Sequence, residues 1–291
     1  MLEIIDVIGN QAFRRTDWVG CPICHNCHQP RQIAVKFAMT ISIAECAECR
    51  IAYQTPQPST EASHAYMNMR WSSSQTYVAD RSSQLRRAGK QLQLVNRFCK
   101  PPSRVLDFGA GSGAFVHIAR QAGFTVTGVE TSDTAIARAR EFYGVEFAKG
   151  VDGSTFDVVT LWDVVEHLRD PVGTLDMLRK HMNPGGRIFL ETGNFENWTR
   201  LASGDSWGLY LFDHEYYFTP ASLEVILNRA GYKDFRLLPT GRKLPPSPFA
   251  MFTSPAQTLG AWRHWAYAKR MWPRHGDINV IVATARPLNS L

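Results

Sequence analysis

The sequence predicts an α/β protein built on a doubly wound, largely parallel sheet, preceded by a small metal-stapled segment. Three observations carry that expectation. From Arg104 onward, short apolar runs alternate with helix-length amphipathic runs, the pattern of strands covered by helices on both faces. A glycine-rich turn directly follows the first of those strands. Five of the six cysteines crowd between positions 21 and 49, ahead of the sheet. The 291 residues suffice for one full-sized domain and a smaller attachment, and 44% hydrophobic against 20% charged residues argues against wholesale disorder. No uninterrupted apolar run approaches the about 18 residues of a membrane helix. The opening MLEIIDVIGN carries Glu3 and Asp6 where a secretory leader would be basic, so a cytoplasmic location is expected.

In chain order, residues 1–58 read as the metal segment. Cys21/Cys24 and Cys46/Cys49 are two Cys-x-x-Cys pairs separated by 21 residues. Each pair can form a knuckle donating two thiolates, and together they close a tetrahedral zinc site. So short a segment builds little core, and the metal would supply much of its folding energy. Four protein ligands leave no open position, which makes the zinc structural. Cys27, His25 and His28 are also within reach of the site by spacing. Cys24-His-Asn-Cys27-His28 has the form of a haem attachment site, a reading that requires an exported protein and is set aside. Cys99 stands alone before Pro101-Pro102 and reads as packing.

Residues 59–102 read as a polar linker and then a covering helix over 78–98, with Leu85, Leu92, Val95 and Phe98 at helical spacing. The remaining 103–291 form the main domain. Strands are expected at Arg104–Phe108, Thr125–Val129, 156–161, 187–191 and 277–284. Helices are expected at 113–122, Asp133–Tyr143 (stopped by Gly144) and 221–230 (stopped by Gly231). The net charge of +6 is local: Arg242, Lys243, Arg263, Lys269, Arg270 and Arg274 lie within 241–276 with no acid among them. Within 256–274, Trp262, Trp265, Tyr267 and Trp272 are interleaved with those bases. The segment reads as aromatic packing against the sheet, as a contact with a membrane surface or lipid-linked acceptor, or as a nucleic-acid grip.

The chemical signal centres on Val105-Leu-Asp107-Phe-Gly109-Ala-Gly111-Ser-Gly113. Glycines at alternate positions after a strand let the backbone turn sharply and approach a ligand. Gly109-x-Gly111-x-x-Ala114 also fits a relaxed dinucleotide fingerprint, so a nicotinamide dehydrogenase stands as an alternative on the glycines alone. Glu130 ends the second strand, where a carboxylate accepts from both ribose hydroxyls in either case.

With Asp107 before the glycines, Glu130, Glu166-His167 within FDVVTLWDVVEHLRDP, the Asn183-Pro-Gly-Gly186 turn and Phe218-Thr-Pro220, the chain from about 104 to 285 resembles a class I S-adenosylmethionine-dependent methyltransferase. The paired cysteines extend the likeness to a bacterial subfamily with an N-terminal zinc knuckle, similar to ubiquinone-type O-methyltransferases and sugar methyltransferases. The resemblance implies a Rossmann-like seven-stranded sheet with its last strand antiparallel. It implies that S-adenosylmethionine lies over Asp107, Gly109, Gly111 and Gly113, near Leu161 and Trp162, with Glu130 on the ribose and Thr131 beside the adenine. His214 is the first candidate base. Related sugar C-methyltransferases carry Tyr-x-Glu-His at this place, which here reads Leu211-Phe-Asp213-His214. Asp213 and His167 are the accompanying candidates.

The expected activity is methyl transfer to a hydroxyl of a small molecule, sugar or cell-envelope glycan. RNA base methylation is the alternative, using the zinc knuckle and the basic segment. Against it, Leu161-Trp162-Asp163 lacks the Asn/Asp-Pro-Pro-Tyr signature of amino-methylating enzymes, and the main domain lacks paired catalytic cysteines. A non-enzymatic zinc module with a degenerate methyltransferase fold is the third reading, disfavoured by the intact glycine loop.

Overall fold

The computed structural model describes residues 21–25, 31–36, 40–72, 81–197, 200, 204, 207–239 and 280–288. Cys27, His28, the basic aromatic stretch 256–274 and nearly all of 241–280 lie outside these residues, as does 78–80 of the expected covering helix.

The main sheet is assembled from β4 (Arg104–Phe108), β5 (Thr125–Val129), β6 (Phe156–Trp162), β7 (Met182–Gly193), β9 (Tyr232–Leu237) and β10 (Val280–Pro287). Its order is β5-β4-β6-β7-β10-β9. The first four strands run parallel, and β10 is antiparallel to both β7 and β9. Strands buried on both faces read as continuous apolar runs, as Val158, Val159 and Leu161 do at 0% exposure. The expected seventh position is reduced to one isolated parallel bridge, Val129 to Ala148, beside β5.

Helices α3 (Ala114–Gln121), α4 (Asp133–Tyr143), α5 (Pro171–Lys180) and α6 (Pro220–Arg229) flank the sheet. Local chemistry sets their ends. Ser132 accepts from the Ala135 amide to start α4, and Gly144 closes it in the left-handed conformation. Thr219 and Ser222 form a reciprocal capping box at α6, with Pro220 in its first turn. The sequence does not announce β9, which is short and directly follows the Gly231 turn.

Two further helices lie over the carboxyl ends of the strands. The covering helix is α2 (Arg81–Val95), and its buried face includes Leu92 and Val95. The stretch read as linker instead contains α1 (Thr60–Ser72), in which Ala62 alone is buried. That helix has almost no apolar stripe to read. Its signal is the start: Ser59 accepts from the Ala62 amide at 3.2 Å just after Pro58.

The cysteine segment is not a separate body. β1 (Arg31–Lys36), β2 (Thr40–Glu45) and β3 (Ala52–Gln54) form an antiparallel sheet that continues into β8 (Tyr216–Tyr217) of the main domain. Ala52 pairs Tyr217 and Tyr53 pairs Tyr216. Cys21, Cys46, Ile51 and Tyr53 share one core with Tyr216, Phe218 and Tyr232. Arg229 donates to the Ile23 carbonyl at 2.6 Å. Among the described residues, no helix is long and apolar enough to cross a membrane.

Candidate active site

A cleft of about 420 Å³ opens at the carboxyl ends of β4, β5 and β6 under α1 and α2. Its floor is the glycine loop. Gly109 has φ +74°, and a Cβ there would lie 2.5 Å from Val164 Cγ2, so no other residue fits. At Gly111, a Cβ would meet the Trp71 ring of α1 at 3.1 Å, so the roof rests directly on the loop. Glu130 accepts from the amides of Gly111 at 2.8 Å, Thr131 at 2.7 Å and Ser132 at 2.9 Å. Both Glu130 and Thr131 line the cleft.

Asp107 is 1% exposed and accepts from Thr160 Oγ1 at 2.7 Å. Burial pushes its carboxyl up to about 7, aided by the nearby Glu130 charge and opposed by the Thr160 bond. Among the described residues no cationic side chain pairs with it. A buried carboxylate without a counterion is a fitting receptor for a positively charged amine. Trp162 lines the cleft and packs on Phe115 with ring centroids 5.3 Å apart. The Leu161 side chain is buried in the core and does not reach the cleft.

The same cleft is also lined by a compact polar group, His167 and Asp213. Nδ1 of His167 lies 2.7 Å from the Asp213 carbonyl oxygen. A carbonyl only accepts, so Nδ1 carries the proton and Nε2 keeps its lone pair. The Asp213 carboxylate is 3.5 Å from the same Nδ1 and is held by Arg70 of α1 at 3.1 Å. Burial would depress the proton affinity of His167, yet Asp213 and Glu166 outweigh it and raise the imidazole above its ordinary value. Asp213 is correspondingly held below the usual carboxylate range, despite burial, by His167, His214 and Arg70.

His214 occupies a different setting. Its ring meets that of His167 edge-on at 4.7 Å, but it does not line the cleft. Burial, then the charge of His167, pushes it down to about 3, so it is neutral near pH 7. Of the two histidines, His167 is the one placed against the cleft. Glu166 is also buried, pushed up to about 7 by burial, and its Oε2 has no hydrogen-bond partner among the described residues.

The reading of the sequence did not single out α1 or α2 residues for the site. His64, Met67 and Trp71 line the cleft at i, i+3 and i+7 of α1, a spacing visible once a helix is assumed. On α2, Arg87 bridges Asp163 and Glu191 (the latter at 3.2 Å), and Gln91 donates to Glu191 at 2.8 Å. These bonds fasten the covering helix to the strand ends.

Away from the cleft, the thiols of Cys21, Cys24, Cys46 and Cys49 lie within 4.8 Å of one another, with Cys24 and Cys46 at 3.6 Å. Four sulfurs at about 2.3 Å from a tetrahedral ion are separated by about 3.8 Å. The two knuckles have the same turn: His25 donates to the Cys21 carbonyl at 2.8 Å, and Arg50 to the Cys46 carbonyl at 2.9 Å. His25 and Arg50 both take positive φ, 57° and 54°. Burial pushes the Cys21 thiol up to about 12, and Cys49 is raised in the same way. Thiols so disfavoured as anions fit a site completed by a cation.

The methyltransferase domain family matches residues 77–237, more than half of the chain. The ubiquinone biosynthesis O-methyltransferase of Aromatoleum aromaticum is 30% identical over 155 residues, covering 46% of this chain and 66% of that protein. The mitochondrial ubiquinone biosynthesis O-methyltransferase of Schizosaccharomyces pombe is 34% identical over 109 residues, covering 33% of this chain and 40% of its own. The chain thus spans less than two thirds of either relative. A solved S-adenosylmethionine-dependent methyltransferase from Archaeoglobus fulgidus shares the fold, with a TM-score of 0.51 at 16% identity over 69% of this chain and 93% of that one.

Proposed function

On the premise that the chain belongs to the methyltransferase domain family, we propose that it is an S-adenosylmethionine-dependent O-methyltransferase of small molecules, with His167 as its base. One observation carries the reading: the glycine loop with its uncompensated Asp107 and the Asp213–His167 pair line the same cleft. The relatives named as O-methyltransferases support oxygen as the acceptor atom. A cleft roofed by α1 and α2 favours a compact acceptor over a polymer; a single sugar fits that description as well as an aromatic hydroxyl does.

When bound, S-adenosylmethionine supplies an electrophilic methyl group on a sulfonium. Asp107 would hold its amino group, the Gly109–Ser112 backbone its methionine portion, Glu130 its ribose and Thr131 the adenine side, while Gly113 does not line the cleft and packs toward Ala139. Asp107 then gains the cation it lacks and becomes fully ionised. Trp71 and Trp162 wall the site and exclude water from it. His167 Nε2 takes the hydroxyl proton of the acceptor. Nδ1–H stays on the Asp213 carbonyl, which fixes the tautomer, and the Asp213 carboxylate stabilises the imidazolium that forms. Arg70 keeps that carboxylate in place.

Glu130→Ala is expected to weaken S-adenosylhomocysteine by about 10–100-fold, the loss of charge-assisted bonds to the ribose. Calorimetric titration checks it, and unchanged affinity removes the ribose role. The four thiols are proposed to hold one structural zinc, as their donor set and spacing support. RNA as acceptor finds no specific support in the described residues, and the segment 241–276 that would grip it lies wholly outside them.

A further inference from the structure

We propose that Gln54, the last residue of β3, is a positioning residue that fastens the Asp213–His214 loop to the cysteine-bearing sheet and leaves one carbonyl for His167. The proposal rests on the Asp213–His167 pair being the proton-accepting unit.

Gln54 is 1% exposed and lies five residues beyond Cys49. Its backbone amide donates to the Glu215 carbonyl at 2.9 Å. One end of its side-chain amide faces two carbonyls, so the nitrogen belongs there, donating to Phe212 at 3.2 Å and His214 at 3.1 Å. The carbonyls of residues 212, 214 and 215 are therefore all taken by this one side chain and backbone. The remaining carbonyl of the loop, that of Asp213, is the acceptor of His167 Nδ1 at 2.7 Å.

Gln54 is itself fixed from behind. It pairs with Ile43 of β2, and the next amide, of Thr55, donates to the Ser42 carbonyl at 2.9 Å. The order of support runs from the cysteine knuckle through β2 and β3 to the loop, and from the loop to His167. This gives the N-terminal segment a part in the acceptor end of the cleft without its touching the acceptor. The charged and titratable groups around His167 are Glu166 beside it, Asp213 and His214 on the loop, and Arg70 on α1. Only the loop pair depends on Gln54.

The test is Gln54→Met, which keeps the volume and removes both side-chain donors. Carbon-labelled histidine is followed by NMR across pH, with the His167 resonance assigned through His167→Asn. The expected result is a His167 midpoint lower by roughly half a unit or more than wild type, about a threefold loss of proton affinity. S-adenosylhomocysteine affinity and metal content stay at wild-type values. An unchanged His167 midpoint in a variant that still binds S-adenosylhomocysteine overturns the proposal, because a merely structural residue would lower melting temperature alone. Should Gln54→Met not fold, Gln54→Asn retracts the same donors by one methylene and is read in the same way. A wild-type chain that fails to bind S-adenosylhomocysteine would contradict the methyltransferase reading instead, since the midpoint is measured without turnover.

Discussion

Replacing His167 with alanine is expected to lower turnover by about 10²–10⁴-fold and to leave S-adenosylhomocysteine affinity near that of the wild type. The loss follows from the geometry. Of His167 and His214, His167 is the one against the cleft, its tautomer is fixed by the Asp213 carbonyl, and a carboxylate 3.5 Å away stabilises its protonated form. The pH dependence has a determined sign. A base must be neutral to accept a proton, and Asp213 and Glu166 raise its proton affinity. Activity should therefore climb with pH through a midpoint above the ordinary ~6.5 of histidine. Asp213→Asn removes the stabilising charge and should shift that midpoint downward. His214→Asn, by contrast, alters a neutral group outside the cleft and should change turnover by less than about tenfold. A larger loss for His214→Asn than for His167→Ala would exchange the roles of the two histidines.

The second large effect concerns the four thiols. Structural zinc contributes apparent free energies of roughly 10–16 kcal/mol in small zinc peptides near neutral pH. Such a figure rivals the whole stability of an ordinary domain, about 5–15 kcal/mol. Here the thiols share a core with Tyr216, Phe218 and Tyr232, so the loss spreads into the main domain. If a third of that energy, about 4 kcal/mol, reaches the cooperative unit, Cys49→Ser should lower the melting temperature by roughly 10 °C. Metal analysis should find about one zinc per wild-type chain and none in the variant. A metal-free wild-type protein with the same melting temperature as Cys49→Ser would refute the structural zinc.

What was legible in the sequence is local chemistry. Gly109 sits in a strand-to-helix turn that needs a positive φ, the cysteines stand at knuckle spacing, and Gly144 stops α4. Each of these is encoded within a few residues. The parallel sheet and its antiparallel β10 follow from the order of strands and helices and from the resemblance. The missing parts are tertiary. Nothing near Gln54 announces that it will meet residues 212–215, because that pairing joins segments about 160 residues apart in the chain. The apolar residues of α1 are scattered around the helix and form no single stripe, so periodicity could not find it. His167 and His214 look alike as sequence. What separates them is which of two rings, 4.7 Å apart, borders the cleft, and only packing decides that.

If this cleft passes a methyl group to a small hydroxyl-bearing molecule, purified protein given methyl-labelled S-adenosylmethionine and a fractionated extract, with and without ribonuclease, should show it. Label is expected in low-mass or solvent-extractable material, insensitive to ribonuclease and about 10²–10⁴-fold weaker with His167→Ala. Label confined to ribonuclease-sensitive polymer would contradict it.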